Sequence, residues 1–194
     1  MPAGWAVMFD KGGFCVGYYM KKIKPLLSLC CALLLATTSH SALGASWSPL
    51  LVQVEHLAEL LRDPYAEWYP EGTMVQEVPA GDGSALALVV FTLEGFGRGN
   101  NHTQYFAVFS VETDEEGGPP HYALLDALPI AGKGWRGVMD LNARVTRAAE
   151  QAGTHIALDA LAVTEDDAPN FPSQPMTIRL LLKGGRLAEL SPRG

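Results

Sequence analysis

From residue 73 onward the chain reads as strand-length runs separated by glycine, proline and aspartate, and this punctuation constrains the fold more than any other feature. Seven runs qualify: Thr73–Val78, Ala85–Leu93, Gln104–Glu112, Tyr122–Pro129, Gly137–Thr146, His155–Thr164 and Met176–Lys183. The links carry turn chemistry, from AGDGS at Ala80–Ser84 through EGFGRGNN at Glu94–Asn101, EEGGPP at Glu115–Pro120 and AGKG at Ala131–Gly134 to Gly184-Gly185. Short links between consecutive strands imply antiparallel pairing. The segment Arg144–Ala152 (RVTRAAEQA) suits a helical turn as well as a strand end, but the alternation of Met139, Leu141, Ala143 and Val145 favours a strand to about residue 146.

The residues before this series follow a different period. Ser48 and Pro49 look like an N-cap and a first helical position. Leu50, Val54, Leu57 and Leu61 recur at helical spacing, with Leu51, Ala58 and Leu60 widening the stripe. Arg62 falls in the last turn and Asp63-Pro64 ends the helix. Tyr65, Trp68 and Tyr69, ending in Pro70, form an aromatic link expected to pack the helix end onto the body. The predicted fold class is therefore α+β: an N-terminal amphipathic helix packed on a mostly antiparallel sheet of about six or seven strands.

The first 44 residues read as processing signals rather than fold. Lys21, Lys22 and Lys24 precede an apolar run from Pro25 to Ala36, and small residues follow as far as Ala42, Gly44 and Ala45. That is the three-part pattern of a secretory signal peptide spanning 20–44, with cleavage expected between Gly44 and Ala45. An apolar core of about 12 residues is short of the roughly 20 that a membrane span needs, so no stable anchor is expected after cleavage. Leu29 before Cys30 departs from a lipoprotein site, and Met20 directly before the basic cluster makes 1–19 an over-extended reading of the gene. Residues 45–194 form one domain, and the destination is the periplasm.

Composition narrows the class further. The chain is 48% hydrophobic and 18% charged, with a mean hydropathy of +0.09 and a net charge of -7, too apolar for a disordered chain. The part from 45 on keeps 10 of 14 basic residues (all but Lys11, Lys21, Lys22 and Lys24) and 20 of 21 acidic ones (all but Asp10), a net charge of -10. Such a surface disfavours nucleic acid and favours cationic partners. The cysteines, at 15, 30 and 31, all precede the domain, which excludes a disulfide framework or cysteine-ligated zinc within it. About 150 residues suffice for a core without staples.

Several motifs invite a chemical reading and lack its context. Gly95, Gly97 and Gly99 resemble a phosphate-cradling string, but a strand follows them where a helix N-terminus is needed, and Lys133 lacks the rest of a P-loop. No pair among His56, His102, His121 and His155 has metal-ligand spacing; a long-range site from His102 and His121 is the one alternative. The acidic runs 114–116 and 165–167 lack the EF-hand pattern, and Ser84 lacks a nucleophile elbow. Asn101-His102-Thr103 spells a glycosylation sequon that a bacterial envelope leaves idle. The contact residues expected in or beside the glycine- and proline-rich loops are Tyr105, Trp135, Arg136, Phe171 and Arg98.

The order of features from Gly81 to Leu190 resembles a loose group of exported, β-rich bacterial proteins without an assigned activity. The shared features are a Gly-Asp-Gly turn, ALALVVFTLEGFG, GNNHTQYFAVF, LLDALPIAGKGWRG and LAVTEDDAPNFPSQPMTIRLLL. Some relatives carry a cysteine pair where this chain has Asn170 and Phe171, so a thiol role there is absent. The resemblance implies export and architecture, not chemistry. The leading functional expectation is a non-catalytic binding module of the cell envelope, with a protein or small-molecule partner engaged by the 94–103 and 131–136 loops, and no cofactor, metal or catalytic residue. The alternative is a hydrolase of an envelope polymer, with two carboxylates drawn from Asp126, Asp140 and Asp159, one of raised pKa. A third reading is a structural, partner-capping protein without a pocket.

Overall fold

The structure, a computed structural model, describes residues 48–80, 84–113, 117–147 and 153–191. The expected leader, the cleavage pair Gly44 and Ala45, the cysteines, the acidic run 114–116 and the possible helical turn near 148–152 lie outside the described residues. Among the described residues no helix is long and apolar enough to cross a membrane.

Helix α1 spans Ser48–Leu61 and buries Leu50, Val54, Leu57 and Ala58. Its apolar stripe is narrower than the sequence suggests. Leu60 lies about 100° round the helix from the centre of that stripe and is 83% exposed, and Leu61, at the last helical position, is exposed too. The stop is built by Asp63, whose Oδ1 accepts the Tyr65 N–H at 2.7 Å while its carbonyl accepts Ala66 N–H at 3.1 Å.

Among the described residues nine strands follow, every paired neighbour antiparallel: β1 Glu67–Pro79, β2 Ala85–Glu94, β3 His102–Glu112, β4 His121–Gly132, β5 Arg136–Gly137, β6 Arg144–Arg147, β7 Thr154–Ala162, β8 Gln174–Lys183 and β9 Arg186–Glu189. The order across the sheet is β1-β2-β3-β4-β5-β7-β8-β9, with β6 also paired to β7. The architecture of one helix on an antiparallel sheet is as expected, but the strand count of six or seven is too low. Trp68 and Tyr69, expected in a link, belong to β1, opposite Leu93 and Thr92 of β2. Strand β9 is an addition, reached by Gly184-Gly185, whose φ values of 58° and 72° make the tight hairpin that only such residues adopt readily.

The expected strand 137–146 is broken into β5 and β6, and two glutamines explain the break. The Gln104 amide donates to the Val138 carbonyl (3.0 Å) and accepts its N–H (2.8 Å). The Gln76 amide does the same for Ala143, at 3.2 and 2.7 Å. A side-chain amide presents the same donor and acceptor as a peptide group, so these backbone groups are satisfied without a neighbouring strand. Val138, Leu141 and Ala143 are then all buried, which strict alternation forbids.

The sheet folds over on itself, with two apolar layers. On the inner face, Leu86, Leu88 and Val90 of β2 meet Phe106 and Val108 of β3 and Ile156, Leu158, Ile178 and Leu180 of β7 and β8. On the outer face, Ala87, Val89, Phe91 and Leu93 alternate with them and pack under α1 with Ala107 and Phe109. Because both faces of β2 are covered, it reads as an almost unbroken apolar run. Two clamps tie β4 and β5 to the β9 margin. Asp126 Oδ2 accepts the Leu187 N–H at 2.8 Å, and the buried Arg136 reaches Glu189.

Candidate functional site

The inner face of β2 and β3 changes character along its length. In β2 it runs Leu86, Leu88, Val90 and then Thr92 and Glu94; in β3 it runs Val108, Phe106 and then Gln104 and His102. Register places Thr92 opposite Gln104 and Glu94 opposite His102, so the four polar side chains share one end of that face. The outer face stays apolar through Leu93. At the polar end the two layers separate around a cleft of about 410 Å³.

Three loops and a bulge close this cleft. In β1 the register jumps between Tyr69 and Met74, which lifts the Pro70–Thr73 segment out of the ladder and places Tyr69, Glu71 and Gly72 on the wall. Trp68 Nε1 donates to Thr73 Oγ1 at 3.2 Å across the neck of the bulge. A Cβ on Gly72 would stand 2.7 Å from Tyr69 Cδ1, so the missing side chain is what lets the ring lie there. The 94–103 loop is pinned by Gly95 N–H to the Asn101 carbonyl (2.6 Å), and it turns at Gly97, with φ 90°, and Arg98, with φ 57°.

The 131–136 loop lies against the 94–103 loop through Lys133 N–H to the His102 carbonyl, 3.2 Å. It contacts the 163–173 loop through Gly134 N–H to the Pro169 carbonyl, 2.8 Å, and Val163 N–H to the Trp135 carbonyl, 3.0 Å. Asp167 organises the last loop: Oδ2 accepts from Thr164 N–H at 2.8 Å, Ser173 N–H at 3.2 Å and Ser173 Oγ–H at 3.0 Å. The Thr164 amide, with Ser173 behind it, holds the Asp167 carboxyl below its ordinary value against a smaller opposing effect of burial.

The five residues singled out by sequence separate into two groups. Trp135, half exposed, covers Arg136 with its ring 4.0 Å from the guanidinium carbon. Arg136 is 5% exposed and lines the cleft, yet its guanidinium is engaged by Glu189 and its Nε donates to the Ile130 carbonyl. Phe171, 75% exposed, stands between Asn170 and Pro172 of the wall, and Arg98 is exposed beside Gly99. Tyr105 is elsewhere: it faces α1 and stacks on Phe91 at 5.5 Å between centroids. The cleft residue is its neighbour Gln104. Sequence reasoning named the 94–103 loop without singling out Glu94 or His102 as its contact residues, and it missed Tyr69 and Glu71.

Other chemistry is dispersed. His102 and His121 begin successive strands and lie at opposite ends of the β3–β4 ladder, about 30 Å apart, which rules out the long-range metal site. Among the described residues no group of three or more histidine, cysteine or acidic side chains is placed to hold a metal ion. Asp126 is occupied in the β4–β9 clamp. Asp140 and Asp159 share a second, open groove of about 460 Å³ with Met139, Leu161 and Met176. There Asp140 accepts from Asn142 at 2.6 Å, and the Asp159 carboxyl is lowered, first by its 2.7 Å bonds from Arg144, the reverse of the raised carboxyl a hydrolase would need. The glycine string leads only into a three-residue helical turn and then β3, so no phosphate cradle forms. Comparison with known proteins returns no matching family model, no matching curated protein and no matching solved structure.

Proposed function

We propose that the chain is an exported, periplasmic, non-catalytic binding module whose ligand site is the cleft between β1, β2, β3 and the 131–136 and 163–173 loops. One observation carries this reading. The inner face turns from apolar to polar at the same end where the β1 bulge and three bonded loops converge on one concavity. A few placed polar groups on an otherwise apolar wall are what orients a small ligand. Exposed Tyr69, Trp135 and Phe171, in or beside that wall, supply stiff anchors of low entropic cost. Export rests on the basic, apolar and small-residue pattern of 20–44.

The test is an NMR titration of the purified protein with envelope small molecules: amino acids, dipeptides, amino sugars, muropeptide fragments and polyamines. The expected result is a binder whose shifts centre on Gly99, the Gln104 side-chain amide, Gly132 and Val138, weakened roughly tenfold by Tyr69→Ala. If nothing in the panel moves those resonances, or if all shifts map to the Asp140–Asp159 groove, the reading is wrong.

A further inference from the structure

We infer that the cleft selects a small organic cation: an aliphatic chain carrying an ammonium or guanidinium group. The inference rests on the reading of the cleft as a ligand site and adds the charge of what fills it.

The charges of the cleft wall point that way. Two carboxylates, Glu71 on the β1 bulge and Glu94 at the end of β2, line the same concavity as the imidazole of His102. Among the described residues neither glutamate has a hydrogen-bond or ion-pair partner. Arg136, the lysine- or arginine-type cation among the described wall residues, is neutralised by Glu189 through Nη1–Oε1 and Nη2–Oε2 bonds of 2.7 Å each. Arg98 and Lys133 are exposed on the adjoining loops and are not part of the wall. The cleft therefore presents uncompensated negative charge, in a concave site where Coulomb attraction is stronger than at an open surface.

The remaining surface suits the stem of such a ligand. Met74, Val138, Met139 and Pro172 line the space between the polar groups, and methylene chains pack on such surface while their charged ends stay with polar partners. The Tyr69 ring, half exposed on the wall, offers a π face to an ammonium. Gln104 turns its amide toward Val138, giving one N–H bond and accepting one, and as a neutral group it adds no competing charge. At about 30 Å³ per small polar group, roughly 410 Å³ holds on the order of a dozen non-hydrogen atoms, the size of a diamine, a short polyamine or a free basic amino acid.

The experiment compares three five-carbon chains that differ in their ends: pentanediamine, pentanediol and glutarate. Each is titrated into the full chain by calorimetry, with NMR to locate the site. The diamine is expected to bind with shifts at Gly99, Gln104 and Val138, more weakly as salt is raised, and the diol and diacid to bind at least about tenfold less tightly. Glu71→Gln and Glu94→Gln should each weaken the diamine by roughly tenfold, the usual worth of one charge-assisted hydrogen bond, at an unchanged unfolding midpoint. Diol or diacid binding as tight as the diamine at those resonances overturns the cation inference and leaves the cleft as a site. Diamine affinity untouched in the double Glu→Gln variant also overturns it. Absence of cleft shifts with all three chains and with the wider panel overturns both.

Discussion

Arg136 and Glu189 are joined by two parallel hydrogen bonds, both 2.7 Å, although 53 residues separate them in the chain. The pair fastens the last strand to the loop that closes the cleft. Its arginine is almost wholly buried, whereas the Glu189 side chain is 34% exposed. Breaking it from one side leaves the partner uncompensated. Arg136→Met is expected to lower unfolding free energy by about 3 kcal/mol in urea titration, and adding Glu189→Leu should restore part of that loss. A double variant as unstable as the single one would show that lost packing, not the stranded charge, is the cost.

Two glycines at the cleft should behave differently when given a methyl group. At Gly132 the new Cβ would stand 2.8 Å from the His102 carbonyl oxygen, a β3 backbone atom that also accepts the Lys133 N–H. Gly132→Ala is expected to cost about 1–3 kcal/mol of stability. At Gly72 the neighbour is the Tyr69 ring, which can turn aside. Gly72→Ala should leave the unfolding midpoint nearly unchanged and weaken cleft binding as Tyr69→Ala does.

Acid should loosen the 163–173 loop late. The Asp167 carboxyl is held below its ordinary value in the folded protein, chiefly by the Thr164 N–H. A folded pKa depressed below the unfolded one contributes stability that is present above about pH 4 and is lost as pH falls through the lowered folded value. Thr164 and Ser173 amide shifts followed by NMR should therefore stay constant down to about pH 4 and move only below it. Asp167→Ala should remove that acid step and reduce ligand affinity at neutral pH.

Along α1 the cost of substitution should follow burial rather than residue type. Leu50 is fully buried against the outer face of the sheet, and Leu50→Ala is expected to cost about 2–5 kcal/mol. Leu60 is 83% exposed, and Leu60→Gln should shift stability by less than about 0.5 kcal/mol. Thermal unfolding of the two variants side by side checks the contrast.

Most of the scaffold was legible from period and punctuation. The helix ends where Asp63-Pro64 places its end, β2, β3, β4 and β8 each contain the run read for them, and β7 stops two residues short of the run read to Thr164. What failed was long-range. No local pattern announces that Gln76, 67 residues away, will take both backbone groups of Ala143, or that Gln104 will do so for Val138. The cleft was partly legible and was misread by one residue. Loop aromatics suggested Tyr105, but a strand's faces alternate, so Tyr105 faces the helix and Gln104 the cleft. The available signal was the switch within ALALVVFTLE, where Thr92 and Glu94 replace leucine and valine on one face while Phe91 and Leu93 keep the other apolar. Its meaning required knowing that both faces are covered.

The outermost strand β1 has a further consequence, for behaviour at high concentration. A sheet margin with unpaired amides is a template on which another copy can add a strand, and two-layer β proteins that leave margins open risk growing into fibres. Along β1, Glu67, Glu71 and Glu77 are exposed like-charged side chains that would confront their counterparts in an adjoining copy, and Pro70 and Pro79 have no N–H to offer. The bulge between Tyr69 and Met74 further spoils the straight edge that stacking requires. At the other margin, β9 is only four residues long. The same carboxylate and bulge that shape the cleft wall also guard the sheet against self-polymerisation.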